Sequence, residues 1–98
     1  MKLLLGTIAI LSSLGARAEC VAPPTPPEPP DGMAASREEM LTAQGVIKAY
    51  NTAVVAFQEC VQKNGGSSAK VDAAVRQLQR LADRFNAELR TFKQKNGG

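Results

Sequence analysis

Residues 23–32 read Pro23-Pro24-Thr25-Pro26-Pro27-Glu28-Pro29-Pro30-Asp31-Gly32, PPTPPEPPDG, and the reading of this stretch decides the fold. Proline pairs recur every three residues, with Thr25, Glu28 and Asp31 in the third place. Polyproline II also has three residues per turn, so the segment has one polar edge and two proline edges. Such a rod suits an apolar groove. A flexible or wall-spanning spacer and a ligand for a proline-binding module are the alternatives.

The groove follows from what comes next. Ser36-Arg37-Glu38-Glu39 has the form of a capping box, Ser36 as N-cap and Glu39 reaching back. Apolar residues then fall at Met40, Ala43, Ile47, Tyr50, Val54, Phe57 and Val61, alternating steps of 3 and 4. That is a heptad seam. Gly65-Gly66 ends it, after which Ser67 or Ser68 can cap a second helix. The second seam runs Val71, Val75, Leu78, Ala82, Phe85, Leu89 and Phe92. Folding back at the glycines pairs Val61 with Val71, Phe57 with Val75, Val54 with Leu78 and Tyr50 with Ala82. Ile47 then meets Phe85, Ala43 meets Leu89 and Met40 meets Phe92. Large residues mostly face smaller ones, as interdigitating layers require. The expected fold is all-α: an antiparallel two-helix hairpin, coiled-coil-like, with the proline arm as a third layer. The expected segments are 36–63 for helix one, 64–67 for the turn, 68–95 for helix two and 96–98 for a flexible tail.

A second stripe on helix one, Val46, Ala49, Ala53, Ala56 and Cys60, is made mostly of small residues that let another backbone approach. It ends at a cysteine, and the arm, residues 19–35, begins beside the other one, Cys20. Sixteen steps of polyproline from Cys20 to Ser36 reach about 50 Å. The helix from Ser36 to Cys60 rises about 36 Å. The arm can therefore run back along helix one, turn at Pro30-Asp31-Gly32, and close a Cys20–Cys60 disulfide. Two cysteines and no histidine read as one bridge in an oxidising compartment.

Export is expected on separate grounds. Residues 1–18, MKLLLGTIAILSSLGARA, place Lys2 before an apolar run and end in the small-x-small triplet Ala16-Arg17-Ala18, the plan of a cleaved signal peptide. The run is too short and interrupted for a membrane span. Cleavage after Ala18 delivers the chain to the periplasm or outside; lipidation of Cys20 is the alternative, although Arg17 and Glu19 suit it poorly. Removing Lys2 and Arg17 from twelve basic residues leaves ten against nine acids, a net charge of +1. That balance and an exported destination argue against a nucleic-acid partner. Residues 19–62 carry six acids and two bases, whereas 68–95 carry three acids and seven bases, so the two halves complement each other.

Several motifs together carry a resemblance. They are Pro30-Asp31-Gly32, Ala35-Ser36-Arg37-Glu38-Glu39-Met40, Ala43-Gln44, Val46-Ile47-Lys48-Ala49-Tyr50 and Cys60. With the cysteine- and proline-rich start, they resemble a family of small, uncharacterised exported proteins of proteobacteria. The match covers roughly half of the chain beyond the leader and stops before helix two. It implies export and a helical fold, and it assigns no activity, ligand or catalytic residue.

No motif for chemistry stands out. Histidine, the commonest general base and metal ligand, is absent. Glu38 and Glu39 point about 100° apart and suit a helix N-terminus. Neither a P-loop nor a glycine-rich dinucleotide motif nor a nucleophile elbow occurs. No enzyme, cofactor or metal is expected. Three features could carry binding. Arg76, Arg80 and Arg84 form a basic ladder, either a solvated face with Asp72–Arg76 and Arg84–Glu88 ion pairs or an anion-binding site, for instance at an anionic membrane surface. Leu81, with Leu41 and Val55, reads as residual apolar surface, ordinary or the contact of a homodimer. Gly45 either is tolerated within helix one or admits a close partner. The expected role is a non-enzymatic interaction, structural or envelope-associated accessory protein. The alternatives are a membrane-surface or anionic-ligand binder and a small periplasmic chaperone or inhibitor.

Overall fold

The computed structural model describes residues 19–97; the leader and its expected cleavage after Ala18 lie outside the described residues, as does Gly98. Two helices account for the regular structure there, α1 (Arg37–Asn64) and α2 (Ser68–Lys95), 28 residues each and antiparallel. At 1.5 Å per residue each is about 42 Å long.

Local chemistry sets the helix ends. The Glu39 amide donates to Ser36 Oγ at 3.1 Å and the Ser36 amide donates to Glu39 Oε1 at 2.7 Å, closing the capping box. At the other end Gly65 adopts φ +80°, and its amide donates to the Val61 carbonyl at 2.8 Å. A side chain is strained in that region, which is why glycine stands there. Ser67 caps α2, accepting from the Lys70 amide at 3.1 Å.

The seam residues pack as two clusters along the hairpin. Tyr50, Val54, Phe57, Val71, Ala74 and Leu81 form one, toward the turn, with Cys20, Val61, Val75 and Leu78 against it. Ala35, Met40 and Phe85 form the other, with Ala43, Leu89 and Phe92, while Ile47 touches both.

The arm, residues 19–35, is extended and runs antiparallel to α1. The Cys20–Cys60 disulfide closes it, with the two Cα atoms 5.7 Å apart. Burial along the arm repeats every three residues: Cys20, Pro23, Pro26 and Pro29 are half-buried, then Gly32 and Ala35 are buried. Intervening Pro24 and Pro27 are exposed, as are Thr25 and Glu28. One edge of a three-fold rod thus faces the hairpin throughout.

Two features differ from the sequence reading. Leu81, expected as leftover surface, is 0% exposed and sits at the centre of the core. Ala49 and Ala56, expected beneath the arm, are exposed, whereas Val46, Ala53 and Cys60 are half-buried. Both differences have one cause. The arm lies over the groove between the helices, so α2 buries a wider arc than a two-helix seam needs. On a helical wheel Leu81 points between the direction of α1 and that of the arm, into the trough that the arm covers.

Candidate functional site

The groove that receives the arm is where the chain concentrates its long-range polar contacts. Glu28, on the outer edge of the rod, reaches across to α2. Arg80 Nη2 donates to Glu28 Oε2 at 2.7 Å and Nη1 to Oε1 at 3.2 Å, a two-pronged pairing that fixes the carboxylate plane. The same guanidinium donates through Nε to Gln77 Oε1 at 2.6 Å. The hydrogen bonds from Arg80 hold the Glu28 carboxyl below the usual carboxylate range, and the reciprocal bond raises Arg80. Both side chains are about half exposed, so water and salt screen the pair and its main effect is to set register.

Four residues on, the rod turns. The Asp31 carbonyl accepts from the amides of Ala34 and Ala35, and Asp31 Oδ1 accepts from Met33 at 2.9 Å. The turn presses Gly32 onto α2. Its amide donates to Glu88 Oε1 at 2.7 Å, while Glu88 Oε2 accepts from Arg84 Nε at 3.4 Å. A Cβ on Gly32 would overlap the Glu88 carbonyl and lie 3.0 Å from the Phe92 nitrogen. Glycine stands there because two backbones approach that closely. Lys95, in the last turn of α2, donates to the carbonyls of Met33 at 2.9 Å and Ala35 at 3.4 Å and lies 5.5 Å from the Phe92 ring centre. The arm is thus fixed at its start by sulfur, midway by Glu28 and at its end by Gly32 and Lys95.

The basic ladder is only partly free. Arg80 is engaged by Glu28 and Arg84 by Glu88. Arg76 is exposed and makes no ion pair among the described residues; the expected Asp72–Arg76 pair is not formed. Two of the three guanidiniums therefore have internal carboxylate partners before any outside anion arrives. Gly45 faces open space, with nothing within 4 Å of a Cβ built there.

Shallow grooves flank these contacts. One of about 170 Å³ lies between Pro27, Pro29 and Pro30 of the arm and Ala43, Val46 and Ile47 of α1. Another, about 260 Å³, lies near the start of the arm, between Ala22, Pro23 and Thr25 and the α2 residues Ala73, Ala74 and Gln77. The third, about 320 Å³, opens on the hairpin face away from the arm, among Met40, Leu41, Phe85, Leu89 and Phe92, with Arg37 and Lys93 at its margin. A fourth, about 250 Å³, lies on the basic ladder among Ala73, Arg76, Gln77 and Arg80, and like the third it gathers two basic side chains and no carboxylate. Among the described residues no three His, Cys, Asp or Glu side chains cluster to hold a metal ion, and no helix is long and apolar enough to cross a membrane.

Sequence reasoning reached the disulfide and the helix caps. It missed the Glu28, Gly32, Glu88 and Lys95 contacts, which join residues 52 or more apart. The available signal was the recurrence of the basic Arg80, Arg84 and Lys95 on one side of α2, with Glu28 among the prolines carrying the opposite charge. Compared with known proteins, the chain matches no family model, no curated protein and no solved structure.

Proposed function

We propose that this chain is an exported, non-enzymatic interaction protein of the periplasm or cell envelope, a stapled helical rod that works by presenting surface. The observation that carries this reading is the Cys20–Cys60 bridge, which commits both cysteines to architecture and closes the proline arm over the hairpin. A disulfide of this kind belongs to an oxidising compartment. It also agrees with the leader expected at residues 1–18. The sequence has no histidine and both sulfurs are bridged, so the chain offers neither an imidazole base nor a free thiol. The grooves are shallow and mostly apolar, which suits contact with another macromolecule better than enclosure of a small substrate.

Cell fractionation with intact-mass measurement tests the export half. The expected species begins at Glu19, is found outside the cytoplasm and lacks two hydrogens relative to the reduced chain. A cytoplasmic species starting at Met1 with two titratable thiols would overturn it. Photo-cross-linkers placed in turn at Leu41, Val55 and Arg76 test the interaction half in cells. Discrete adducts at one or more positions are expected; their absence at all three would overturn the reading.

A further inference from the structure

We propose that the hairpin face opposite the proline arm binds a second copy of this chain, packed antiparallel so that two hairpins form a four-helix bundle. This names the partner for the interaction reading above and rests on it only in taking the rod to act through its surface.

The arm covers one side of the groove between α1 and α2, and among the described residues the other side has no third layer. There Leu41 is 53% exposed and Val55 43%, and the groove of about 320 Å³ bounded by Phe85 and Leu89 lies open. The composition of this uncovered face is unlike that of the rest of the surface. On α1, Gln44, Asn51 and Gln58 recur every seven residues, and on α2 Gln79 and Asn86 do the same. Seven residues return a helix to nearly the same direction, so these amides form two stripes flanking the seam. The charged residues on the two stripes and between them are few: Arg37 at the start of α1, Lys48 near the middle, and Asp72 and Lys93 at opposite ends of α2. Depletion of charge with apolar and amide side chains retained marks the centre of a contact surface.

The ends say which partner. Asp72 and Lys93 extend the α2 amide stripe in both directions, one acidic and one basic, both exposed. A two-fold axis perpendicular to the helices brings Asp72 of one copy to Lys93 of the other, and by symmetry the reverse pair forms too. The same operation sets Gln79 opposite Asn86, where amides donate and accept in turn. It places the small Ala82 beside the axis, where two helices come closest. On α1 it sets Lys48 opposite Asn51 rather than against another Lys48. Arg76 and Arg90 fall at the solvent rim, where salt screens them. A face about 42 Å long and two helices wide offers roughly 800 Å² per copy, the size of an ordinary stable interface.

The test uses the oxidised protein purified from the compartment where it accumulates. Sedimentation or light scattering from about 5 to 500 µM reads the mass, and far-UV circular dichroism confirms that each variant remains helical. A concentration-dependent dimer is expected. Asp72→Lys alone and Lys93→Asp alone each weaken it at least about tenfold, because like charges then meet twice per dimer. The double reversal Asp72→Lys with Lys93→Asp returns affinity to within about threefold of the starting protein, since the pair is rebuilt with its signs exchanged. A short thiol-reactive cross-linker captures Ala82→Cys as a covalent dimer and leaves Ala49→Cys, on the other side of α1, monomeric. A monomer mass throughout the range overturns the proposal. So does a dimer indifferent to the charge reversals, a double reversal that fails to rescue, or cross-linking at position 49 in preference to 82.

Discussion

Replacing Leu81 by alanine should be among the costliest single truncations on α2. Its side chain is fully enclosed, in the trough where both helices and the proline arm meet. The substitution removes about three methylene equivalents, worth roughly 2.4 kcal/mol of transfer free energy at about 0.8 kcal/mol each. The cavity left behind raises the total to about 3–4 kcal/mol, because the stapled arm cannot collapse far into it. For a domain of this size that lowers the melting temperature by roughly 12–30 °C. Urea unfolding followed by circular dichroism at low protein concentration measures the change directly. Val21→Ala, at a site 77% exposed, is the control and should move stability by less than about 0.5 kcal/mol. The Cys20→Ser/Cys60→Ser background adds a second reading. Once the arm is unclasped, water reaches the trough, and the cost of Leu81→Ala should fall by at least about 1 kcal/mol as a coupling energy. A cost below about 1 kcal/mol in the bridged protein, or no coupling to the bridge, would refute the three-layer core.

Four further outcomes are expected. The Cys20→Ser/Cys60→Ser protein loses about 4 kcal/mol, since the bridge joins residues 40 apart and its removal frees a loop of that length in the unfolded chain; denaturant midpoints at constant slope check this. Gly32→Ala forces the turn off α2 against the Glu88 and Phe92 backbones and costs about 1–3 kcal/mol, with faster hydrogen exchange at the residue 32 amide. Glu88→Ala removes the acceptor of that amide and costs about 1–3 kcal/mol, whereas Glu88→Gln, which keeps an oxygen there, costs less. The Glu28 carboxyl is lowered by Arg80, so the folded state binds fewer protons than the unfolded one. The stabilisation from the pair is therefore complete above the ordinary carboxylate range and is lost as pH falls through the lowered value. A carbon-detected NMR titration should find Glu28 depressed, and Arg80→Gln should return it toward normal.

Much of the hairpin was legible because it rests on local rules. Ser36 and Glu39 announce a helix start within four residues, Gly65-Gly66 its end, and the steps of 3 and 4 from Met40 to Val61 its inward side. The bridge was legible too, because rod length and helix length agree and only two cysteines exist. Leu81 was not. A heptad template assumes that each helix has one neighbour, and α2 has two, so a residue lying between the two directions falls outside the seam. The alanine stripe of α1 misled for the same reason. Ala49 and Ala56 are small enough to lie under a rod, but Arg80, Glu88 and Lys95 draw the rod toward α2. Such contacts join distant parts of the chain and leave no periodic trace. Of the candidate site, the three arginines were visible as a ladder, but their partners were not, since nothing local links Arg80 to Glu28.

The position of the bridge also fixes how the molecule would carry load. Cys20 is joined to Cys60 at the turn end of the rod, whereas the chain leaves α2 at the opposite end, past Lys95. Tension between the two termini passes through the sulfurs and then along α2, bypassing the arm and nearly all of α1. The covalent ring formed by residues 20–60 stays slack, and α2 is pulled lengthwise past its neighbours. Every contact along it must then slip together, a geometry that resists stretching far better than peeling from one end.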